Sequence, residues 1–243
     1  MIREIRVVMG KELKEMGTEG GGGRRGRLTP LVGVAVAGVL IPVNLGVRYV
    51  QPDTMLVIGM VLPVLFILPV VADAFAGERE RHTLETLLAT RLPDQAILFG
   101  KLAAVVAYAF ALSVLALVVG VATVNVAHPE ARPLILPLVT LGATLVEVVL
   151  VGTLMGGVGL LISLGATTVR QAQQRLSMVL FVPILLPVLA KALPTGVKRS
   201  IQGMLVSGRL TAAQILFGSL IVLTAGVLFA SNRRFRRSRL ITA

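Results

Sequence analysis

Cysteine and tryptophan are both missing from this 243-residue chain, which has two tyrosines and two histidines. Without thiols there is no disulfide, no thiolate metal site and no cysteine nucleophile. Without tryptophan, and with so little tyrosine, the aromatic belt that often marks a membrane–water boundary is thin. Charge is scarce as well: Asp, Glu, Lys and Arg make up 15% of the residues, against about 25% in soluble domains. Both histidines, His82 and His128, fall in loops, so no buried Ser–His pair is available for proteolysis. Gly-Lys occurs at Gly10-Lys11 and Gly100-Lys101, followed by Glu12 and Leu102, so the Gly-Lys-Ser/Thr ending of a phosphate loop is lacking. No HExxH zinc helix occurs. The chain is therefore expected to be no enzyme, with no catalytic residue, metal ligand or cofactor of its own.

Apolar residues are what the sequence has in abundance, 55% of the chain with a mean hydropathy of +0.87. A helix needs about 20 apolar residues to cross a ~30 Å hydrocarbon layer, and the sequence holds six runs near that length. They read as 28–47, 55–76, 102–126, 134–164, 176–193 and 212–230. Prolines 42, 63, 69, 183 and 187 inside them are no objection, because neighbouring helices re-satisfy freed carbonyls in a bundle. The fourth run exceeds a straight crossing and is expected to tilt or project. The expected fold is an all-α integral membrane protein of six spans, with domains 1–27, 28–231 and a basic tail 232–243.

The formal charge of +12 would suggest nucleic acid in a soluble chain. In a membrane protein it reflects basic residues gathered on the cytoplasmic side, so no nucleic-acid partner is expected. With six spans and both termini inside, 18 of the 24 Lys and Arg face the cytoplasm and 6 lie outside. That asymmetry predicts a multi-pass protein of the cell membrane with both ends cytoplasmic. Segment 194–211 carries Lys198, Arg199 and Arg209 on the outer side and an apolar patch too short to span, which reads as re-entrant or surface helix. No cleavable signal peptide is expected, since the first apolar run starts behind a long charged segment.

Residues 1–16 read as a surface helix. Ile2, Ile5, Met9, Leu13 and Met16 follow one helical face, while Arg3, Arg6, Lys11 and Lys14 lie off it. Such a helix rests in the membrane interface or docks on a partner. Gly20 to Gly23 form a flexible joint behind it.

The loop after the second span, within 77–101, is the most informative segment. Glu78, Arg79, Glu80 and Arg81 precede a short helix with Leu84, Leu87 and Leu88 on one face, Thr83 as its N-cap and Pro93 beyond its end. Either it lies in the interface, or it presses its ridge into a groove of a cytoplasmic partner while the charges set register. The string AGERERHTLETLLATRLP resembles the signature loop of ABC exporter permeases of type two (ABC-2). The stretch Ile162–Gln174 is similar to the loop after the fourth span in the sodium-export-like branch. His82 stands where glycine is common in relatives.

The resemblance implies a transmembrane permease subunit that exports an unidentified substrate by alternating access. It implies two copies of a separate ABC ATPase that binds ATP and Mg, and a second permease copy, most simply a homodimer in the lipid bilayer. It assigns Glu78, Arg79, Glu80, Arg81 and Glu85 to charge pairing with the ATPase, and Thr83, Leu84, Leu87 and Leu88 to the coupling helix.

Glu147 falls mid-way along the fourth run, where an ionised residue costs about 2.5–3.5 kcal/mol. Thr140 and Thr144 share its face, and Asn44 is a polar group in the first run. These four are candidates for a substrate pathway; the other reading makes Glu147 a packing group and Asn44 a local hydrogen-bonding residue. Gly152, Gly156 and Gly159 permit close helix approach, within the subunit or at a dimer seam. The rival functions are an ion-coupled secondary transporter, which needs mid-depth carboxylates and commonly a repeat, and a non-transporting membrane anchor.

Overall fold

A computed structural model describes residues 1–18, 24–83, 89–90, 92–129, 136–179 and 212–234, and every regular element among them is helical. Helix α1 is Ile2–Thr18. Helix α2, Arg24–Ala35, runs into a π-helical turn Val36–Leu40, a short α3 Ile41–Leu45 and a 3-10 turn Gly46–Val50. Helices α4 (Pro52–Glu80), α5 (Asp94–Ala127) and α6 (Leu138–Leu164) follow. A helical segment α7 begins at 169 and is described to 179, and α8 is Ala212–Arg234.

Proline placement explains where these helices begin and where one of them distorts. Pro52 opens α4 at a position whose N–H has no helical acceptor. Pro93 and Pro137 hold extended backbone before α5 and α6, and their carbonyls accept the first turns' N–H groups from Ile97 and Leu141. Pro42 cannot donate to the carbonyl four residues back, that of Gly38. The Thr123 hydroxyl lies 2.8 Å from that oxygen instead, and the Ile41 N–H bonds Val36 in the wider π register. The first span is thus bent by its own sequence and mended by α5.

Four stretches are long and apolar enough to cross a bilayer among the described residues: Pro30–Val50, Pro52–Glu80, Asp94–Ala127 and Leu138–Leu164. In α8 the apolar portion is Gly218–Ser231. Only 176–179 of the fifth expected span, 176–193, are described, as the end of α7; the rest lies outside the described residues, as do the segment 194–211, the joint 20–23 and the tail from 235.

Three of the boundaries that differ from the sequence expectation bear on the charged loop and the fourth span. Helix α4 does not stop at Ala76 but runs through Glu80, so the first charges of the loop belong to the span itself. The third span starts at Asp94 rather than Leu102, because Pro93 caps a helix that Ile97, Leu98 and Lys101 continue without a break. The fourth starts at Leu138, since Leu136 and Pro137 are not helical.

Helix α6 sits at the centre, with α4 along one side, α5 beside both and α8 on its other side. Its glycines set these distances. Gly159 faces Val71 of α4, Gly156 faces Leu102 and Val106 of α5, and Gly157 faces Val227 of α8. The small-residue stripe therefore packs within the chain. Helix α1 lies across the start of α5, and it packs there chiefly through residues outside the Ile2–Met16 apolar stripe. Val8 and Glu12 are the buried positions while Ile2 is exposed, because Val8 seats on Gly100 and Glu12 finds a cation on α5.

Candidate functional site

Each residue of the charged string at the end of α4 makes a contact inside the chain, Glu78 and Arg79 from buried or half-buried positions, Glu80 and Arg81 from exposed ones. Successive helical residues are turned by about 100°, so four consecutive charges face four directions, and each meets a different element. Glu78 points inward: its Oε1 accepts from Lys101 Nζ at 2.9 Å, and the same ammonium donates to Glu12 Oε1 at 2.8 Å. Lys101 is 1% exposed and lies 5.2 Å from the Phe75 ring centroid. This triad joins α1, α4 and α5 at a single polar point.

Arg79 turns toward α6. Its Nη1 donates to the Ala166 carbonyl at 2.6 Å and its Nη2 to that of Leu164 at 3.2 Å, placing a cation where the dipole of a helix C-terminus is negative. Glu80 does the converse for α7, accepting the Val169 N–H at 3.3 Å at that helix's N-terminal end. Arg81 folds back along its own helix, donating at 3.2 and 3.1 Å to the two carboxylate oxygens of Asp73. Gly77 lies between them, and a Cβ there would run into both side chains. The Asp73 hydrogen bond holds the Arg81 pKa above its ordinary value.

Helix α4 ends in a Schellman motif. His82 adopts a left-handed conformation with φ 57°. Its N–H bonds the Arg79 carbonyl at 3.1 Å, and the Thr83 N–H bonds that of Glu78 at 2.8 Å. Thr83 also points its hydroxyl back at the Glu78 carbonyl, 3.2 Å away, so it takes part in closing α4. Leu84, Glu85, Leu87 and Leu88 lie outside the described residues. One turn earlier, Ser163 of α6 bridges to α4: its hydroxyl donates to the Ala72 carbonyl and accepts from the N–H groups of Phe75 and Ala76.

A cleft of about 980 Å³ opens beside this cluster. One face of α4 and the turn beyond it, from Leu65 to Arg81, form its longest wall; α1, the first span, α5, α7 and loop residues Thr83, Thr90 and Leu92 also line it. Apolar side chains such as Phe66, Pro69 and Leu112 line one end, and Lys11, Glu15, Asp73 and Arg81 the other. Lys11 pairs with Glu15 at 3.2 Å; burial pulls its pKa down, but the Glu15 hydrogen bond and neighbouring carboxylates outweigh that and raise it.

The four polar residues singled out for a pathway are not among those lining the cleft. Asn44 spends its amide on the Leu40 carbonyl at 2.7 Å on an exposed face, and Thr144 donates to the Thr140 carbonyl at 2.9 Å. Glu147 is completely buried, packed over Gly59 of α4, and neither carboxylate oxygen has a hydrogen-bond partner among the described residues. The residues missed from sequence are Glu12, Lys101, Asp73 and Ser163. Glu12 and Lys101 carried a signal, each being a charge embedded in an apolar helical face.

A family model described as ABC-2 type transporter matches residues 4–188, an interval that contains the triad, the Schellman turn and most of the cleft. The chain belongs to that family. It is also similar to the "ABC transporter permease protein NatB" of Bacillus subtilis (strain 168), 29% identical over 141 residues. The aligned part covers 53% of this chain and 36% of that relative, so the chain spans about a third of the relative's length. The family expected from AGERERHTLETLLATRLP is thereby confirmed, with the likeness on the NatB-like side. It is a multi-pass membrane protein of the ABC-2 transporter family.

Proposed function

We propose that this permease is the membrane half of an ATP-driven exporter, working as two permease copies with two copies of a separate ATPase that binds ATP and Mg. In this reading the chain crosses the membrane six times with both termini cytoplasmic, and 84–88 is the helix on which the ATPase acts. The observation that carries it is the clasp around 78–81 in a chain of the ABC-2 family. A force applied just beyond His82 enters α4 at a turn fixed to α1, α5, α6 and α7 by charge-assisted bonds. Such a junction moves helices as rigid bodies, which alternating access requires.

The clasp also divides the labour among the charged residues. Glu78 and Arg79 act inside the chain as the anchor of the lever. Exposed Glu80, Arg81 and His82, with Glu85 and the Leu84, Leu87 and Leu88 ridge, are the side presented to the ATPase. Ion-coupled secondary transport fares worse, because its coupling carboxylate would have to be Glu147, which does not line the cleft.

The test is co-purification with a candidate ABC ATPase from the same organism, together with stimulated ATP turnover in vesicles. A Glu85/Leu87/Leu88 triple-alanine variant should lose ATPase capture by about tenfold or more while melting like the wild type. Arg79→Ala should do the reverse, melting lower yet still capturing the ATPase at its own permissive temperature. Unchanged capture by the triple variant would overturn the assignment.

A further inference from the structure

The faces of α1 are sharply sorted. Turning by about 100° per residue, the helix sets Val8 and Glu12 against α5, where Val8 seats on Gly100 and Glu12 meets Lys101. Met16, Met9, Ile2 and Leu13 form the next arc, and Arg6, Arg3 and Lys14 the one after it, with Gly10 and Gly17 between them. The last arc holds Lys11, Glu4 and Glu15, and Lys11 and Glu15 line the cleft. Every acidic residue of α1 therefore lies off the apolar and basic arcs: Glu4 and Glu15 on the far flank, Glu12 buried in the triad. Arg3, Arg6 and Lys14 are exposed, and so is Ile2, at 77%. Neither Arg3 nor Arg6 has an ion-pair partner among the described residues.

Depth decides what such a face meets. Helix α5 has 34 residues, about 50 Å at ~1.5 Å per residue, against a hydrocarbon layer of ~30 Å. The run from Leu102 to Ala127 fills that layer by itself, which leaves Asp94 to Lys101 at headgroup level. Val8 and Glu12 grip this same portion, so α1 is held at the depth of the headgroups. An acidic protein docked on the basic arc would leave Ile2 to water. An anionic lipid answers both arcs, its headgroup meeting the cations and its acyl chains covering the apolar side chains beside them.

We propose that α1 recognises anionic phospholipids: Arg3, Arg6 and Lys14 bind the phosphate-bearing headgroup while Ile2, Met9 and Leu13 reach into the acyl layer beside it. This goes beyond the ATPase assignment and needs only that the chain spans a membrane. Lys101 joins Glu12 to Glu78, so lipid held on α1 is connected to the charged turn at the end of α4.

The chain has no tryptophan, so Ile2→Trp places a single fluorescent reporter on the apolar arc. The full chain carrying it is put in phosphatidylcholine nanodiscs in which a minor fraction of the lipid is brominated on its acyl chains. The brominated lipid is either phosphatidylglycerol or phosphatidylcholine, at equal mole fraction. Phosphatidylglycerol should quench the reporter more strongly, its enrichment at the helix being on the order of fivefold per cation. High salt should bring the two lipids together. Arg3→Gln/Arg6→Gln in the same background should shrink the difference by about tenfold or more, and Arg3→Lys/Arg6→Lys should keep it. These side chains are exposed, so both variants should melt like the reporter protein. Val118→Trp as the sole reporter, on an exposed face of α5, should be quenched equally by the two lipids. Equal quenching of the Ile2→Trp reporter by both lipids would mean that α1 touches the bilayer without reading its charge, and would overturn the proposal. So would an undiminished preference in the Gln variant, or the same preference at Val118→Trp. Quenching by neither lipid, with an emission shift on adding an ABC ATPase, would make this a protein-docking face and overturn it too. The ATPase is absent from the lipid arms, so their failure leaves the coupling assignment standing.

Discussion

The Lys101 ammonium lies 2.8 Å from Glu12 Oε1, joining residues 89 positions apart. That bond fastens α1 to the first turns of α5, and the second bond from the same nitrogen, to Glu78, brings in the end of α4. The helix ahead of the first span is therefore built into the bundle at the place where the charged turn leaves α4. Any load on that turn is shared with α1.

Removing the cation should be far worse than removing the whole triad. Lys101→Met strands two buried carboxylates and should destabilise by about 3–5 kcal/mol. Replacing Glu12, Glu78 and Lys101 together by Met or Leu removes the desolvation penalty with the attraction, and should recover most of that loss. Thermal melting of the detergent-solubilised chain reads the difference. A triple variant that melts no higher than Lys101→Met would show that the three do not act as one unit.

His82 occupies a backbone conformation that an L side chain adopts at a cost of about 1–2 kcal/mol. The Schellman bonds around it require that conformation. Glycine at 82 removes the steric cost and adds back a smaller entropic one, so His82→Gly should stabilise by up to ~1 kcal/mol. His82→Val, branched at Cβ, should destabilise by at least about 1 kcal/mol. The paired melting temperatures check the sign of both.

The first four spans were legible because an apolar run of crossing length needs no tertiary information to be recognised. The glycines of α6 were legible too, since closeness of approach is a property of the residue itself. The sequence could not show where Glu78 to Arg81 point. A string of four charges reads as one solvated patch until the neighbours of each 100° step are known, and those neighbours are Lys101, Ala166, Val169 and Asp73. His82 was seen as standing in a glycine position, yet the reason lay in a turn that only the Arg79 and Glu78 carbonyls define. On α1 the apolar periodicity marked Ile2 and Met9 for the membrane interface or a partner, but it could not show the face packed within the chain, which includes an ion-paired glutamate that no hydropathy pattern counts as inward.

Gly100 is the contact on which α1 depends. A Cβ there would stand 2.6 Å from Val8 Cβ and 3.2 Å from the Ile5 carbonyl, and neither atom is the free end of a flexible chain. Gly100→Leu should lift α1 and pull Glu12 from Lys101. Hydrogen exchange of the α1 amides should accelerate by about tenfold or more, as local opening no longer costs the buried pair. Exchange in α6 should change much less, because the packing of α1 is chiefly on α5. Protection of α1 equal to wild type would contradict this packing.

Glu147 is placed so that stability and transport can be read separately. Its two oxygens have no donors among the described residues, and a Cβ at Gly59 would come within 2.5 Å of Oε2. Methionine fills nearly the same length without the desolvated carboxylate, so Glu147→Met should stabilise by about 1–3 kcal/mol. Gln brings an amide as unsatisfied as the carboxyl and should gain little. If the residue serves only packing, export by the Met variant in vesicles with the ATPase keeps its wild-type rate while the melting temperature rises. A transport loss in both Met and Gln, against a gain in stability in Met, would place Glu147 on the substrate path despite its distance from the cleft wall, since packing alone cannot move those two readouts in opposite directions.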